Sequence, residues 1–579
     1  MQTEALGEPT LASPAADEAD RKATGRRWHA WTAAGLVVLG GLIRLILIAW
    51  DWPETNSDEG YQGLQALHIA AGTERPTFFP GQAYMGPHEA YLGAALFHLF
   101  GNSLFSLRLG LVLMFVLFLV SSYWFARIVY GPRWALISLA LLALGSPYVL
   151  SRELTAMGGY GETLLFSSLM FLVAARLVTT YEPYRVLREQ RWRLALYAAW
   201  GVAAGTGLWA DLLVAPFALA SGLALLIHCR RELLQLVAPV SAGIGLVIGM
   251  LPLLVYNLNA PPGGDSISTL TVLRGQAPEG LSAKAHAAWN AVTQSVPMMT
   301  GNPVCPVDEL PALNPVTSWS SACYATRVTW GTGYMLLLGL GTLLAVWAVW
   351  QAWRRRGSDR PATLHLAMLV GGLITFYLYA NSDAAVGYPG GHSRYLIGLV
   401  VALPAVFHTL VAVAKPRVLR VAGVAILAAY TAALAFGTVR TFMEIPRTHA
   451  DALRSTALVE TLRTHGVKHF YGDYWTCARI AFRAEESITC GAVTDTLEIA
   501  PNNRYYDQWT ATTADPRAAY VFSDNPCRSL PYYKCDKPTT FLEIANGTYR
   551  LPVVEAKLEK AGTPYQLVHI DGYVIYLIS

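Results

Sequence analysis

The sequence predicts an α-helical polytopic membrane protein of about eleven transmembrane helices, with a C-terminal α/β domain outside the cytoplasm. Three observations carry this. Of 579 residues, 54% are hydrophobic and only 14% charged, with a mean hydropathy of +0.35. A soluble globular protein carries about a quarter charged residues, so much of this surface faces something other than water. Apolar runs long enough to cross roughly 30 Å of hydrocarbon recur along the chain. Lys and Arg collect in every second loop. The net charge of +4 is too small for its sign to imply a nucleic-acid partner, and none is expected.

The elements follow in order. Met1–Asp20 is rich in Ala, Glu, Asp and Pro, so residues 1–28 read as a disordered cytoplasmic tail. Arg21, Lys22, Arg26 and Arg27 then precede the first apolar run, Ala30–Trp50. That run lacks a small-residue cleavage site and reads as a retained helix. Spans are expected near 30–50, 104–126, 134–150, 162–180, 193–209, 212–228, 234–256, 331–353, 363–381, 394–414 and 420–440.

Inner connections would hold Arg127 and Arg133; Arg185, Arg188, Arg191 and Arg193; Arg230 and Arg231; Arg354, Arg355 and Arg356; and Lys415, Arg417 and Arg420. The alternate loops carry no comparable short cluster. An odd number of spans then leaves everything after Thr441 outside. Cysteine is an independent check, because disulfides persist outside the cytoplasm. Cys305, Cys323, Cys477, Cys490, Cys527 and Cys535 fall in outer segments, and Cys229 alone at an inner face. Sequence-near pairing gives Cys305–Cys323, Cys477–Cys490 and Cys527–Cys535, though four cysteines in the last domain allow three connectivities. Each short loop so closed contributes ~2–3 kcal/mol.

A membrane domain over 29–441 thus carries outer loops 51–103 and 257–329, and residues 442–579 form the outer domain. In the first loop, Glu59–Ala71 and His88–Phe100 are amphipathic. In the latter Ala90, Ala94, Phe97 and the Leu residues share a face, as in a helix lying in the interface. The segment after Thr441, about 140 residues, suffices for a small domain. Ala452–Thr464 is amphipathic, Lys468–Tyr471 and Ala519–Phe522 read as strands, and Gln566–Leu577 as a hairpin turning at Asp571-Gly572. Asn546-Gly547-Thr548 fits a glycosylation sequon.

Candidate chemistry gathers at the outer face. Asp58 and Glu59 stand just past the first span. Carboxylates so near hydrocarbon cost free energy unless hydrated or paired, and often mark function; a cap on the following helix by Ser57 or Asp58 is the plain alternative. Glu153 and Glu162 follow the third span, where Glu162 also suits a helix N-terminus. Asp211, between spans five and six, fits a cap too. Gly390-Gly391-His392-Ser393-Arg394-Tyr395 brings phosphate-binding residue types to the membrane boundary, although an interfacial Arg and Tyr belt has the same look. Arg44 lies inside a span and Arg108 at the start of one, so Arg44 must snorkel or pair. The sequence holds no Walker loop, zincin motif or dinucleotide fingerprint, and the glycines of Gly201–Gly207 serve helix packing.

These clusters resemble the C-type glycosyltransferase (GT-C) superfamily, and within it the branch of protein O-mannosyltransferases and lipid A aminoarabinose transferases. The resemblance lies in Ser57-Asp58-Glu59, Pro87-His88-Glu89-Ala90-Tyr91-Leu92, Phe100-Gly101-Asn102-Ser103 with Arg108-Leu109, Pro147 through Arg152, and Arg394-Tyr395. It covers roughly 31–258 and, more weakly, 371–413. It implies transfer of a sugar from a polyprenyl-phosphate donor to a glycan, lipid or protein acceptor at the extracytoplasmic face of a cytoplasmic membrane. Asp58, beside Glu59, would be the general base, with inversion by in-line attack. Arg152, His392, Arg394 and Tyr395 would hold the donor phosphate. Arg44, His88, Glu89, Arg108 and Asp211 would be further donor or acceptor contacts. The family's second-loop acid is usually Asp, where this chain offers Glu153 and Glu162. Superfamily members differ in metal use, and no clean divalent-metal ligand set is visible beside the lipid-linked donor. Two other readings compete. A flippase for lipid-linked sugar would show internal repeats, which are absent, and a non-catalytic scaffold would tolerate neutralising Asp58, Glu59 and Glu162.

Overall fold

The computed structural model describes residues 14–182, 191–302 except 274 and 276, 320–523 except 356, 388, 413–415, 495 and 502, and 550–579. Among the described residues, six helices are long and apolar enough to cross a membrane: Arg27–Ala49, Leu104–Val129, Tyr160–Thr179, Ser321–Arg354, Arg360–Ala380 and Arg417–Thr464. Two bent pairs, Pro132–Ala143 with Pro147–Leu154 and Val237–Gly249 with Leu251–Asn259, make eight if each is one crossing. The chain is a multi-pass membrane protein. Arg191–Ala210, Leu212–His228 and Gly398–Ala412 complete the apolar helices.

Three elements differ from expectation. The spans expected over 134–150 and 234–256 are broken, by 87° and 67°. Pro147 and Pro252 open the second halves, since proline starts a helix readily but does not continue one. Apolarity runs unbroken across both bends, so hydropathy does not register them. The first helix begins at Pro14, inside the stretch expected to be disordered; its Ala, Glu, Lys and Arg are good helix formers. Met1–Ser13 lie outside the described residues. Finally, the last span and the amphipathic 452–464 segment are one 48-residue helix, Arg417–Thr464.

Small residues do pack helices as expected. A Cβ at Gly201 or Gly245 would collide with the backbone carbonyls of Ala242 and Ala198 respectively, so Arg191–Ala210 and Val237–Gly249 touch backbone to backbone.

The C-terminal sheet has strands β1 (His469–Gly472), β2 (Thr489–Ala492), β3 (Ala519–Ser523), β4 (Tyr565–Ile570) and β5 (Tyr573–Ile578), ordered β2-β1-β3-β5-β4. β1 pairs in parallel with β2 and β3, while β5 runs antiparallel to β3 and β4. The expected hairpin turns at Asp571-Gly572, with Gly572 at φ 93°. Alternation sends Val521 and Ile575 to one face, against Leu458, Leu462 and Ile480. Phe522 and Val574 go to the other, against Val554 and Leu558 of the Arg550–Ala561 helix.

Cys477 and Cys490 are bonded, tying the Tyr474–Arg483 helix to β2. Cys323 is disulfide-bonded as well, and Cys229 is a buried free thiol. Cys305, Cys527, Cys535 and the sequon lie outside the described residues. The two halves of the protein share a core. Tyr61, Leu64 and Ala66 of the first loop and Leu107 and Leu111 of the second span pack with Ala478, Ala481 and Phe482 of the C-terminal domain.

Candidate active site

The site is built around the Ser57–Ala70 helix. Its cap is Asn56, whose Oδ1 accepts the Glu59 amide at 2.9 Å, rather than Ser57 or Asp58. Those two are thereby left for other partners. Ser57 Oγ donates to the Tyr474 carbonyl. Asp58 and Glu59 are about 100° apart around the helix and meet different surroundings. Glu59 points inward, where Arg108 Nε and Nη2 grip its two oxygens at 2.8 and 2.6 Å. Both residues are fully buried, and Glu59 Oε1 also accepts the Ala156 amide at 3.1 Å.

Asp58 faces the C-terminal domain. Its Oδ1 accepts the Tyr474 hydroxyl at 2.6 Å and Arg504 Nη2 at 3.1 Å. Its side chain keeps 22% exposure, and among the described residues Oδ2 makes no hydrogen bond. From sequence, Tyr474 belongs to the aromatic run Tyr471-Gly472-Asp473-Tyr474-Trp475, which could bind sugar but reads more readily as domain core or surface, and Arg504 is a single cation in a loop that nothing marks.

The other expected acids divide into two groups. Glu153 belongs to the interior: Arg44 Nε and Nη2 reach its Oε2 at 3.0 and 2.6 Å. Arg44 also donates to the carbonyls of Gly40 and Ala143 and lies 3.4 Å from the Phe115 ring centroid. Ala143 ends the first half of a broken helix, so Arg44 satisfies a carbonyl that the bend leaves without a helical partner. Glu89, Glu162 and Asp211 gather instead around Gly158 and Gly159. Glu89 Oε2 accepts the Gly158 amide at 2.7 Å. Asp211 Oδ1 accepts the Leu213 amide at 2.9 Å, and a Cβ on Gly159 would fall 2.5 Å from Asp211 Oδ2. Glu162 is buried in the first turn of the Tyr160–Thr179 helix. Burial, and then Glu162, pushes the Glu89 carboxyl well above its ordinary range. Burial takes Asp211 up to about 6 and the neighbouring His88 down to about 4; the His88 ring centroid lies 4.4 Å from that of Trp209. Among the described residues no three His, Cys, Asp or Glu side chains are arranged to hold a metal ion.

The cations form a third group. Arg152 and Arg394 have no carboxylate partner among the described residues, and the Nε of each is buried without a hydrogen bond. Arg152 lies 5.1 Å from the Tyr148 ring and Arg394 5.3 Å from that of Tyr395, measured to the centroids. Ser393 Oγ and Tyr148 Oη are 2.6 Å apart, and His392 stacks on Tyr395. Tyr160 stands within electrostatic reach of Arg152, Arg394, Tyr395 and Asp211. Tyr84 lies among these groups: burial raises its phenol, Tyr395 and Asp211 add to that, and Arg394 and Arg504 oppose it. Tyr160 and Tyr84 therefore link Arg152, Arg394, Tyr395 and Asp211 to Arg504, the partner of Asp58, while the Arg44–Glu153 and Arg108–Glu59 pairs are closed among themselves.

No protein-family model and no curated protein sequence matches the chain. Solved structures do. ArnT from Cupriavidus metallidurans bound to undecaprenyl phosphate superposes with a TM-score of 0.53 at 13% identity, covering 95% of this chain and 97% of that one. The apo oligosaccharyltransferase of Archaeoglobus fulgidus gives 0.51 at 15%, covering 95% and 74%. Identities this low speak for the fold alone. The superposition covers nearly the whole chain, and the chain has the GT-C fold.

Proposed function

We propose that the protein transfers a sugar from a polyprenyl-phosphate donor to a hydroxyl acceptor, with Asp58 as general base. The observation that carries this reading is a partly exposed carboxylate, Asp58, linked through Arg504 and Tyr84 to Arg394, which like Arg152 has no carboxylate partner among the described residues. Asp58 Oδ2 takes the acceptor proton. The acceptor oxygen attacks the anomeric carbon in line as the bond to the donor phosphate oxygen breaks with its electron pair, inverting the centre. A departing phosphate needs cations more than a proton, and Arg152 and Arg394, half-buried and without carboxylate partners among the described residues, supply them. Glu59 braces the base through the chain rather than competing with it, because Arg108 already neutralises it. Undecaprenyl phosphate bound to the structurally similar ArnT supports a polyprenyl-phosphate donor.

We further place the reaction at the extracytoplasmic face. If Arg191–Ala210, Leu212–His228 and Gly398–Ala412 cross beside the six long helices and two bent pairs, the crossings number eleven, which would leave the disulfide-bonded domain outside. Metal participation is not part of this reading.

The test is transfer of labelled sugar from polyprenyl-phosphate donors by the purified protein. Asp58→Asn should lower the transfer rate by about 10²–10⁴-fold, leaving a measurable residue, and Arg394→Gln should raise the donor KM. Full transfer by Asp58→Asn would remove the base assignment.

A further inference from the structure

We infer that Tyr474 and Arg504 are positioning residues for Asp58, supplied by the C-terminal domain, so that this domain completes the active site. The inference rests on the reading of Asp58 as the base.

Arg504 is held on every side. Nη1 donates to the Pro80 carbonyl at 2.7 Å. Nη2 reaches Asp58 Oδ1 and the Tyr474 hydroxyl, both at 3.1 Å, and Nε reaches that hydroxyl at 3.3 Å. The guanidinium also lies 4.5 Å from the Phe79 ring centroid, a cation–π distance. A group so committed is poorly placed to follow a moving substrate. It is well placed to fix a neighbour.

Tyr474 is fixed as firmly. Asp473 caps its helix, accepting the Trp475 and Thr476 amides at 2.9 and 3.1 Å. Three residues on, Cys477 is bonded to Cys490 of β2. From the other side Gly60 presses on the backbone of Ala478 and Arg479. The phenol accepts from Arg504 and donates to Asp58, and burial keeps it protonated. Arg504 and Tyr474 both converge on one carboxylate oxygen, Oδ1. With that oxygen held twice, the rotation of the carboxylate is set and Oδ2, unbonded among the described residues, is the oxygen left for the acceptor. Such pre-organisation of a base is worth far more than the bonds themselves, because a small misplacement of a reacting group is costly in rate.

The experiment uses the full chain. Tyr474→Phe and Arg504→Gln are assayed for labelled-sugar transfer, alone and combined with Asp58→Asn, and Arg504→Lys serves as the conservative variant. Each of the first two should lower kcat by about 10–100-fold with little change in donor KM. Arg504→Lys should recover part of the loss, which a merely structural defect would not predict. In the Asp58→Asn background neither should lower the residual rate further, because groups acting through one another are not additive. Losses that multiply in the double variants, or a rise in donor KM with kcat intact, overturn the positioning role. A strongly slowed Asp58→Asn beside fully active Tyr474→Phe and Arg504→Gln overturns it while leaving the base in place. A fully active Asp58→Asn removes the base itself, and any loss in the other two then shows that they act elsewhere.

Discussion

Gly60 is where the geometry of the site is most exposed to a single methyl group. A Cβ added there would lie 2.5 Å from the carbonyl carbon of Ala478 and from the amide nitrogen of Arg479. Ordinary contact between such atoms is about 3.5–4.0 Å, so the Ser57–Ala70 and Tyr474–Arg483 helices must part by roughly 1 Å in Gly60→Ala. Neither obstructing atom can rotate away, because both belong to the main chain. Overpacking of this kind costs about 1–3 kcal/mol, and the Tyr474–Asp58 bond lies two residues from the wedge. A shift of about 1 Å at reacting groups costs on the order of 10²-fold in rate. The expected result is a protein that still folds, with a lowered thermal midpoint, and transfers sugar about 100-fold more slowly. Gly35→Ala is the control, since a Cβ there meets nothing within 4 Å. Wild-type turnover by folded Gly60→Ala would refute the argument that close helix contact sets the site.

Two further outcomes follow from the ion pairs. Glu153→Ala leaves Arg44 buried without its counter-charge and should cost about 3–5 kcal/mol, read as a large drop in thermal midpoint; the Arg44→Leu, Glu153→Leu double variant should regain most of it, and an unchanged midpoint in Glu153→Ala would count against the pair. His68 bridges the first loop to the C-terminal domain, with Nε2 2.8 Å from Glu486 and Nδ1 3.0 Å from Glu74, and those hydrogen bonds lift it to about 10. A folded value above the ordinary one of about 6.5 means that its stabilisation is complete below that pH and declines as pH rises toward 10. The thermal midpoint should therefore fall between pH 7 and pH 10 in the wild type and fall less in His68→Gln; equal slopes would show that His68 does not link the domains.

How far the sequence reaches is clearest at the charged residues. Hydropathy and Arg placement locate the membrane helices, because burial in hydrocarbon imposes an apolar run whatever the fold. The same reasoning passes over the bends at Pro147 and Pro252, where apolarity continues and only the backbone direction changes. Strands β1, β3 and the hairpin show their alternation, and Cys477–Cys490 shows in the cysteine spacing. β2, with Thr489, Gly491 and Ala492, has too little side chain to announce itself. Asp58 is legible because a carboxylate at the end of a span needs a reason. Arg504 is not, since its importance comes from a contact with a residue 446 positions earlier.

Adjacent charges near a membrane pose one question that spacing alone cannot answer: which of them neutralise each other, and which are kept for chemistry. Asp58 and Glu59 look equivalent in the chain, yet one helical step separates a carboxylate sealed against Arg108 from one open at Oδ2. Arg44 and Arg394 look equally anomalous, yet Arg44 is consumed by Glu153 and a broken helix while Arg394 has no carboxylate to meet. Desolvation makes the distinction decisive. Arg152 and Arg394 are half-buried, each with an Nε out of water and unbonded, a desolvation cost that a bound phosphate would offset. The same cost would make Arg152 and Arg394 selective for a phosphodiester headgroup over a neutral sugar, and would favour the phosphate monoester as it departs. Donor recognition in this protein would then reside in the membrane domain, and alignment of the base in the C-terminal one.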